Sequence, residues 1–153
     1  MTMFETPMTA VGRIITDLRR RVVGDQEVIS FRMACNSRRR TAEGSWEPGA
    51  TLYITVNCWG RLVTGVGAGL YKGAPIIATG TVHTSEYEDK DGMKRSSLEM
   101  RANAVGPDLS RVIVRIEQPP QPQSTTADGP EEDPAGEAAE EIAEDAEGLV
   151  LSA

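Results

Sequence analysis

Histidine and cysteine are nearly absent from this chain, which carries one histidine, His83, and two cysteines, Cys35 and Cys58. With so few imidazole and thiolate groups, no Cys/His cluster reaches metal-ligand spacing. A glycine-rich loop ending in Gly-Lys-Ser/Thr is missing, as is any nucleophile motif. No enzyme activity, metal or cofactor is therefore expected. The cysteines lie too far apart for a Cys-x-x-Cys site and read as reduced core thiols of a cytoplasmic protein. No apolar run approaches the ~20 residues of a membrane span. Residues 1–7 lack the basic and then apolar pattern of a secretory signal.

Positive charge is missing from the last quarter of the sequence. All 16 Lys and Arg lie between Arg13 and Arg115, whereas residues 117–153 hold 11 acids and no base. The overall charge of −7 thus conceals a body, residues 1–116, of +4 and a tail of −11. A net negative protein is a poor candidate for binding polyanions, but a basic body with a separate acidic segment is not. The tail begins Gln118-Pro119-Pro120-Gln121-Pro122 and continues through Glu131-Glu132-Asp133. Low hydrophobicity with high charge predicts disorder there, because too little apolar surface is available to offset the ordering entropy. The division expected is one folded domain over 1–116 and a Pro/Gln-rich linker with an acidic tail over 117–153.

Within the body, period-two alternation dominates. Residues 9–15, 28–35, 51–59, 75–87 and 95–105 read as strands. In 28–35, Ile29, Phe31, Met33 and Cys35 share a face opposite Ser30 and Arg32. In 51–59, Leu52, Ile54, Val56 and Cys58 share one face, and Thr51, Tyr53, Thr55, Asn57 and Trp59 the other. In 95–105, Leu98, Met100, Ala102 and Ala104 form the apolar face. A helix is predicted from Leu62, Val66 and Leu70, ending near Gly73. Asp91-Gly92 supplies the turn between the last two strands. Three strands, a helix and two strands suit an all-β, five-stranded Greek-key barrel of the OB type. A β-sandwich would need more strands and no intervening helix.

Aromatic residues are few: two Phe, two Trp and three Tyr. Phe31 falls on an apolar face and reads as core. Tyr53 and Trp59 share a polar strand face, and Tyr87 shares parity with Thr79, Thr81, His83 and Ser85. Rings so placed either contact protein, under loops or at an interface, or offer platforms for flat ligands. Three basic clusters accompany them, each expected in or beside a loop: Arg19-Arg20-Arg21, Arg38-Arg39-Arg40 close to Trp46, and Lys94-Arg95. Cations that track phosphates, combined with π-faces that stack on bases, are what single-stranded nucleic acid requires. The competing reading is an OB-type accessory subunit whose aromatic face contacts protein.

The order of short motifs carries a resemblance. Val11-Gly12-Arg13-Ile14, then Trp59-Gly60-Arg61-Leu62 leading to Leu70-Tyr71-Lys72-Gly73, then Thr79-Gly80 and Tyr87 with Asp91-Gly92, are similar to the bacterial single-stranded DNA-binding proteins. The resemblance implies an OB fold, a homotetramer wrapped by single-stranded DNA, and protection of that DNA during replication, recombination or repair. It implies stacking of bases on Tyr53, Trp59 and Tyr87, with Arg39 at a further stacking position. The phosphate contacts expected are Arg13, Arg19, Arg38, Arg39, Arg40, Arg61, Lys94 and Arg95. It also implies a cytoplasmic, nucleoid-associated protein whose tail docks replication or repair proteins. The acidic run of the family is present, but Gly148-Leu149-Val150-Leu151-Ser152-Ala153 departs from the family's Pro-Phe tip. That departure implies a paralogous member.

Overall fold

A computed structural model describes residues 4–118. The expected tail, apart from Glu117 and Gln118, lies outside the described residues. Two units are distinguished, Met1–Arg115 and Ile116–Ala153. The first consists of β1 (Thr6–Ile14), β2 (Arg19–Val23), β3 (Gln26–Arg40), β4 (Trp46–Trp59), α1 (Arg61–Gly69), β5 (Pro75–Glu88) and β6 (Lys94–Pro107). All five strands expected from the alternation form, and β2 is an additional short strand. The six make one sheet in the order β1-β5-β6-β4-β3-β2, closed into a barrel where β1 also pairs with β3. β4 and β6 run parallel, and every other pair is antiparallel.

The alternation in β3 and β4 determines what the barrel encloses. Ile29, Phe31 and Met33 meet Ile54, Val56 and Cys58 in the core, joined by Ile76, Ala78 and Met100 from the other half of the sheet. Each large aliphatic side chain fully buried there contributes about 1.5–3 kcal/mol. Burial pushes the Cys58 thiol up to about 11. Cys35, expected in the same core, is only half-buried, because its partner Leu52 lies where β3 and β4 begin to leave the barrel. The helix crosses one end of the barrel with Val63 and Val66 buried, while Leu62 is half-buried and Leu70 already ends the helix in extended backbone.

Two irregularities redirect side chains. Between Thr79/Gly80 the register slips by one residue, Thr79 facing Ala104 and Gly80 facing Ala102. Asn103 is the extra residue, so the alternation of β6 inverts there. Ala104, expected on the core face, is therefore exposed, and Val105 packs against the core instead. Glycine is required at this crossing: a Cβ on Gly80 would lie 2.1 Å from the Arg101 carbonyl oxygen. The second slip falls between Asn36/Arg38, where Asn36 faces Thr51 but Arg38 faces Pro48.

The basic clusters expected in or beside loops lie in strands instead. Arg19–Arg21 belong to β2, because Asp25 and the positive-φ Gly24 form a tight turn that folds them back along β3. Arg38–Arg40 extend β3, since Trp46–Pro48 pairs with them beyond the barrel. Lys94 and Arg95 open β6 opposite Glu88 and Tyr87.

Candidate nucleic-acid interface

Residues paired across a sheet point to the same side, so register fixes which side chains share the outer face. From β3 and β4 come Ser30 with Asn57, Arg32 with Thr55, and Ala34 with Tyr53, with Trp59 at the end beside Val28. From β5 and β6 come Thr81 with Arg101, His83 with Glu99, and Tyr87 with Arg95. The parallel pairs Thr55–Glu99 and Asn57–Arg101 join the two halves. Tyr53, Trp59 and Tyr87 therefore lie on one continuous outer face. Tyr53 and Tyr87 are about half exposed and Trp59 is partly covered. Arg19, opposite Ser30, lies on this face as well.

Two guanidinium groups cover rings of this face. The Arg32 guanidinium carbon lies 5.1 Å from the Tyr53 centroid, and that of Arg101 lies 5.8 Å from Trp59. Both distances are within cation–π range. A ring covered on one side by a cation keeps the other side for a base, and the cation adds positive charge beside the stack. Neither Arg32 nor Arg101 was among the expected cations. Arg32 could have been found in the sequence, because it shares the polar parity of β3. Arg101 could not, because its nearness to Trp59 depends on the parallel pairing of β4 with β6. Loss of either guanidinium, in Arg32→Ala or Arg101→Ala, is expected to weaken binding of oligo-dT by about two- to fivefold, as for an exposed cation–π contact of about 0.5–1 kcal/mol. Fluorescence titration measures this, and the Arg101 variant also shifts the emission of Trp59 in the free protein.

The remaining expected cations divide by position. Arg38 and Arg40 share the outer face with Pro48 and Trp46, whereas Arg39 faces Glu47 on the opposite parity. Its Nε donates to Glu47 Oε1 at 2.5 Å. The structure thus gives Arg39 a carboxylate partner and turns it away from the Tyr53 side. Trp46, 64% exposed, joins that side instead. Arg95 donates from Nε to Asp89 Oδ2 at 2.8 Å. That bond, with the amide hydrogens of Met93 and Asp91, holds the Asp89 carboxyl below its ordinary value. Arg13 donates to the Gly73 carbonyl at 3.1 Å. Arg61 is exposed at the first residue of α1, and Lys94 is exposed opposite Glu88. Among the described residues no group of three or more His, Cys, Asp or Glu is placed to hold a metal ion. No described helix is long and apolar enough to cross a membrane.

A closed antiparallel-rich barrel with one helix across its end and an open, ring-bearing outer face is an OB-type barrel, the architecture that binds oligonucleotides or oligosaccharides. The chain belongs to the single-strand binding protein family, whose profile matches residues 6–108. It is 34% identical over 122 residues to the single-stranded DNA-binding protein of Corynebacterium glutamicum, covering 78% of this chain and 54% of that one. Single-stranded DNA-binding protein 2 of Streptomyces coelicolor is 30% identical over 116 residues, 73% of this chain and 57% of the relative. The chain thus spans little more than half the length of these curated relatives. Among solved structures, the second single-stranded DNA-binding protein of Mycobacterium smegmatis is 49% identical with a TM-score of 0.58, covering 75% of this chain and all of that one. The small single-stranded DNA-binding protein of S. coelicolor, 28% identical, superposes with a TM-score of 0.64 over 72% of this chain and all of its own.

Proposed function

We propose that this chain binds single-stranded DNA without reading its sequence and shields it during replication, recombination or repair, taking no catalytic part. The observation that carries the reading is the outer face on which Tyr53, Trp59 and Tyr87 lie together, with guanidinium groups over two of the rings. Stacking accepts any base, because every base has a π-face, and cations bind phosphates regardless of sequence. Tyr53, Trp59, Tyr87, Arg13, Arg19, Arg38, Arg40, Arg61, Lys94 and Arg95 are the residues proposed to bind DNA. Arg39 is retained only as a phosphate contact, one that must first leave Glu47.

The working form is proposed to be a homotetramer, cytoplasmic and nucleoid-associated, with the division into a binding domain over 1–116 and an acidic tail over 117–153. Replication or repair proteins would dock through that tail. The 49% identity to a relative described as a second single-stranded DNA-binding protein supports a paralogous member.

Titration of the purified protein with oligo-dT and with duplex DNA tests the function. Oligo-dT is expected to quench Trp59 emission and to bind far more tightly than duplex, with affinity falling as salt rises. Equal affinity for both forms would refute the proposal. The same titration on a chain ended after Gln118 is expected to show tighter binding at low salt, because the ten acids removed no longer compete with phosphate for the basic body.

A further inference from the structure

The outer face does not end at Tyr53. Its partner Ala34 is followed on the same parity of β3 by Asn36 and Arg38, and is itself paired with Arg13 of β1. These residues line an open hollow of about 640 Å³ between β1 and the outer reach of β3. Arg111 closes it from a third direction, so three guanidinium-bearing side chains from three separate segments border one concavity. No carboxylate is among its lining residues.

The position of Arg111 is built into the fold. Pro75, the register partner of Arg13, accepts the Asp108 amide at 3.0 Å. Asp108 is buried, and its Oδ1 accepts both the Ser110 amide at 3.0 Å and the Ser110 hydroxyl at 2.7 Å. A backbone turn from Arg111 to Asp108 completes the loop, and the Arg111 Nε lies 3.5 Å from Asp108 Oδ2. The carboxylate is thus held from both sides, by Ser110 at Oδ1 and by an ion pair with Arg111 at Oδ2, and that pair fixes where the Arg111 guanidinium stands. Arg38 makes no ion pair or hydrogen bond among the described residues, and Arg13 spends one donor on the Gly73 carbonyl. Asn36 accepts from the Thr51 hydroxyl at 2.8 Å through Oδ1, which leaves its amide hydrogens to donate. The hollow therefore offers donors and positive charge to an anion, and Ala34 in its lining is the register partner of Tyr53.

We infer that the hollow bordered by Arg13, Arg38 and Arg111 seats one phosphodiester group of the bound strand next to the base stacked on Tyr53. This rests on the single-stranded DNA reading and adds Arg111 to the residues that bind it. It also gives the strand a course: at Tyr53 its backbone turns toward β1. Arginine suits the seat because its planar fork can take two oxygens of one phosphate.

The test compares wild type, Arg38→Gln, Arg111→Gln and Arg111→Lys in oligo-dT titrations from low to high NaCl, read by Trp59 quenching. Each glutamine variant is expected to bind roughly tenfold more weakly at low salt, as for loss of one charge-assisted hydrogen-bonded contact. Its plot of log affinity against log salt is expected to be shallower by about 0.7, the contribution of one phosphate on a single strand. Quenching at saturation stays at the wild-type level, and Arg111→Lys keeps the wild-type slope. Arg38 is exposed and unpartnered, so its variant folds whatever Arg111 does. Wild-type slope and affinity in both glutamine variants would overturn the seat while leaving the single-stranded DNA reading intact. Loss of saturation quenching would also overturn it, since the arginines would then act through the rings. A wild-type protein that fails to bind oligo-dT removes the seat together with the reading beneath it.

Discussion

Tyr53→Ala, Trp59→Ala and Tyr87→Ala are each expected to weaken oligo-dT binding by about 1–3 kcal/mol, or roughly 5- to 150-fold, the cost of losing one base stack. Equilibrium titration measures this, with a labelled oligonucleotide replacing Trp59 quenching in the tryptophan variant. Phenylalanine at the same positions keeps most of the affinity, because the π-face rather than the hydroxyl or indole N–H carries the interaction. Tyr53 and Tyr87 are about half exposed, so their removal leaves the urea midpoint close to wild type. The losses are expected to add. Tyr53 and Trp59 are six residues apart on β4, about 20 Å at the rise of a strand, and Tyr87 is separated from β4 by the intervening β6. Sites so far apart share no partner and behave independently. Unchanged affinity in all three variants would mean that the outer face does not stack bases.

The largest effect on stability is expected at a glycine. In Gly80→Ala the new Cβ would lie 2.1 Å from the Arg101 carbonyl oxygen and 2.8 Å from the Ala102 Cα. Both are backbone atoms inside a sheet ladder, so neither can turn aside as a side chain could. The strands must separate or the slip at Asn103 must be lost, at a cost of about 3 kcal/mol, the upper end for overpacking a core. Urea denaturation reads this as a lower midpoint at similar slope. Because Arg101 is the residue crowded, and its guanidinium lies over Trp59, the emission of the folded variant shifts too. Gly65→Ala gives the opposite sign: nothing lies within 4 Å of a Cβ there. At that exposed helical position alanine is expected to stabilise by about 0.5–1 kcal/mol. A Gly80 variant as stable as wild type would show that the crossing yields.

The same slip explains where sequence reading succeeds and where it stops. Period two is a local property, and it placed Tyr53 and Trp59 on the polar side of β4 and Ile54, Val56 and Cys58 inside, as the structure has them. It cannot register a bulge, which changes parity without any change in composition. Counting back from Tyr53 along β4 puts Glu47 on the ring-bearing side and Trp46 on the other. The slip between Asn36/Arg38 reverses them. The same failure on β6 assigned Ala104 to the core. The arginine runs were misread for a different reason. Arg19–Arg21 and Arg38–Arg40 have no apolar alternation because both lie at exposed margins of the sheet, where pairing comes from register rather than burial. The pairing of Arg39 with Glu47 likewise depends on the far strand of a hairpin. Most of the barrel was therefore legible from pattern, whereas the parts of the interface that depend on tertiary crossings, Arg101, Arg111 and Trp46, were not.

The two thiols differ enough to make the protein its own clock for opening. Alkylating reagents react with thiolate, and only where they can reach it. Cys58 is closed off on both counts, being fully buried with its thiol held at about 11. Cys35, half-buried near the open end of the hairpin, keeps a route to solvent. Burial raises the Cys35 thiol as well, so in native protein Cys35 labels slowly but directly, and Cys58 labels only when β3 and β4 part. The ratio of the two labelling rates reports how often the barrel opens, without denaturant and without an added probe. A bound strand holding that hairpin closed would slow the Cys58 reaction in proportion to its saturation.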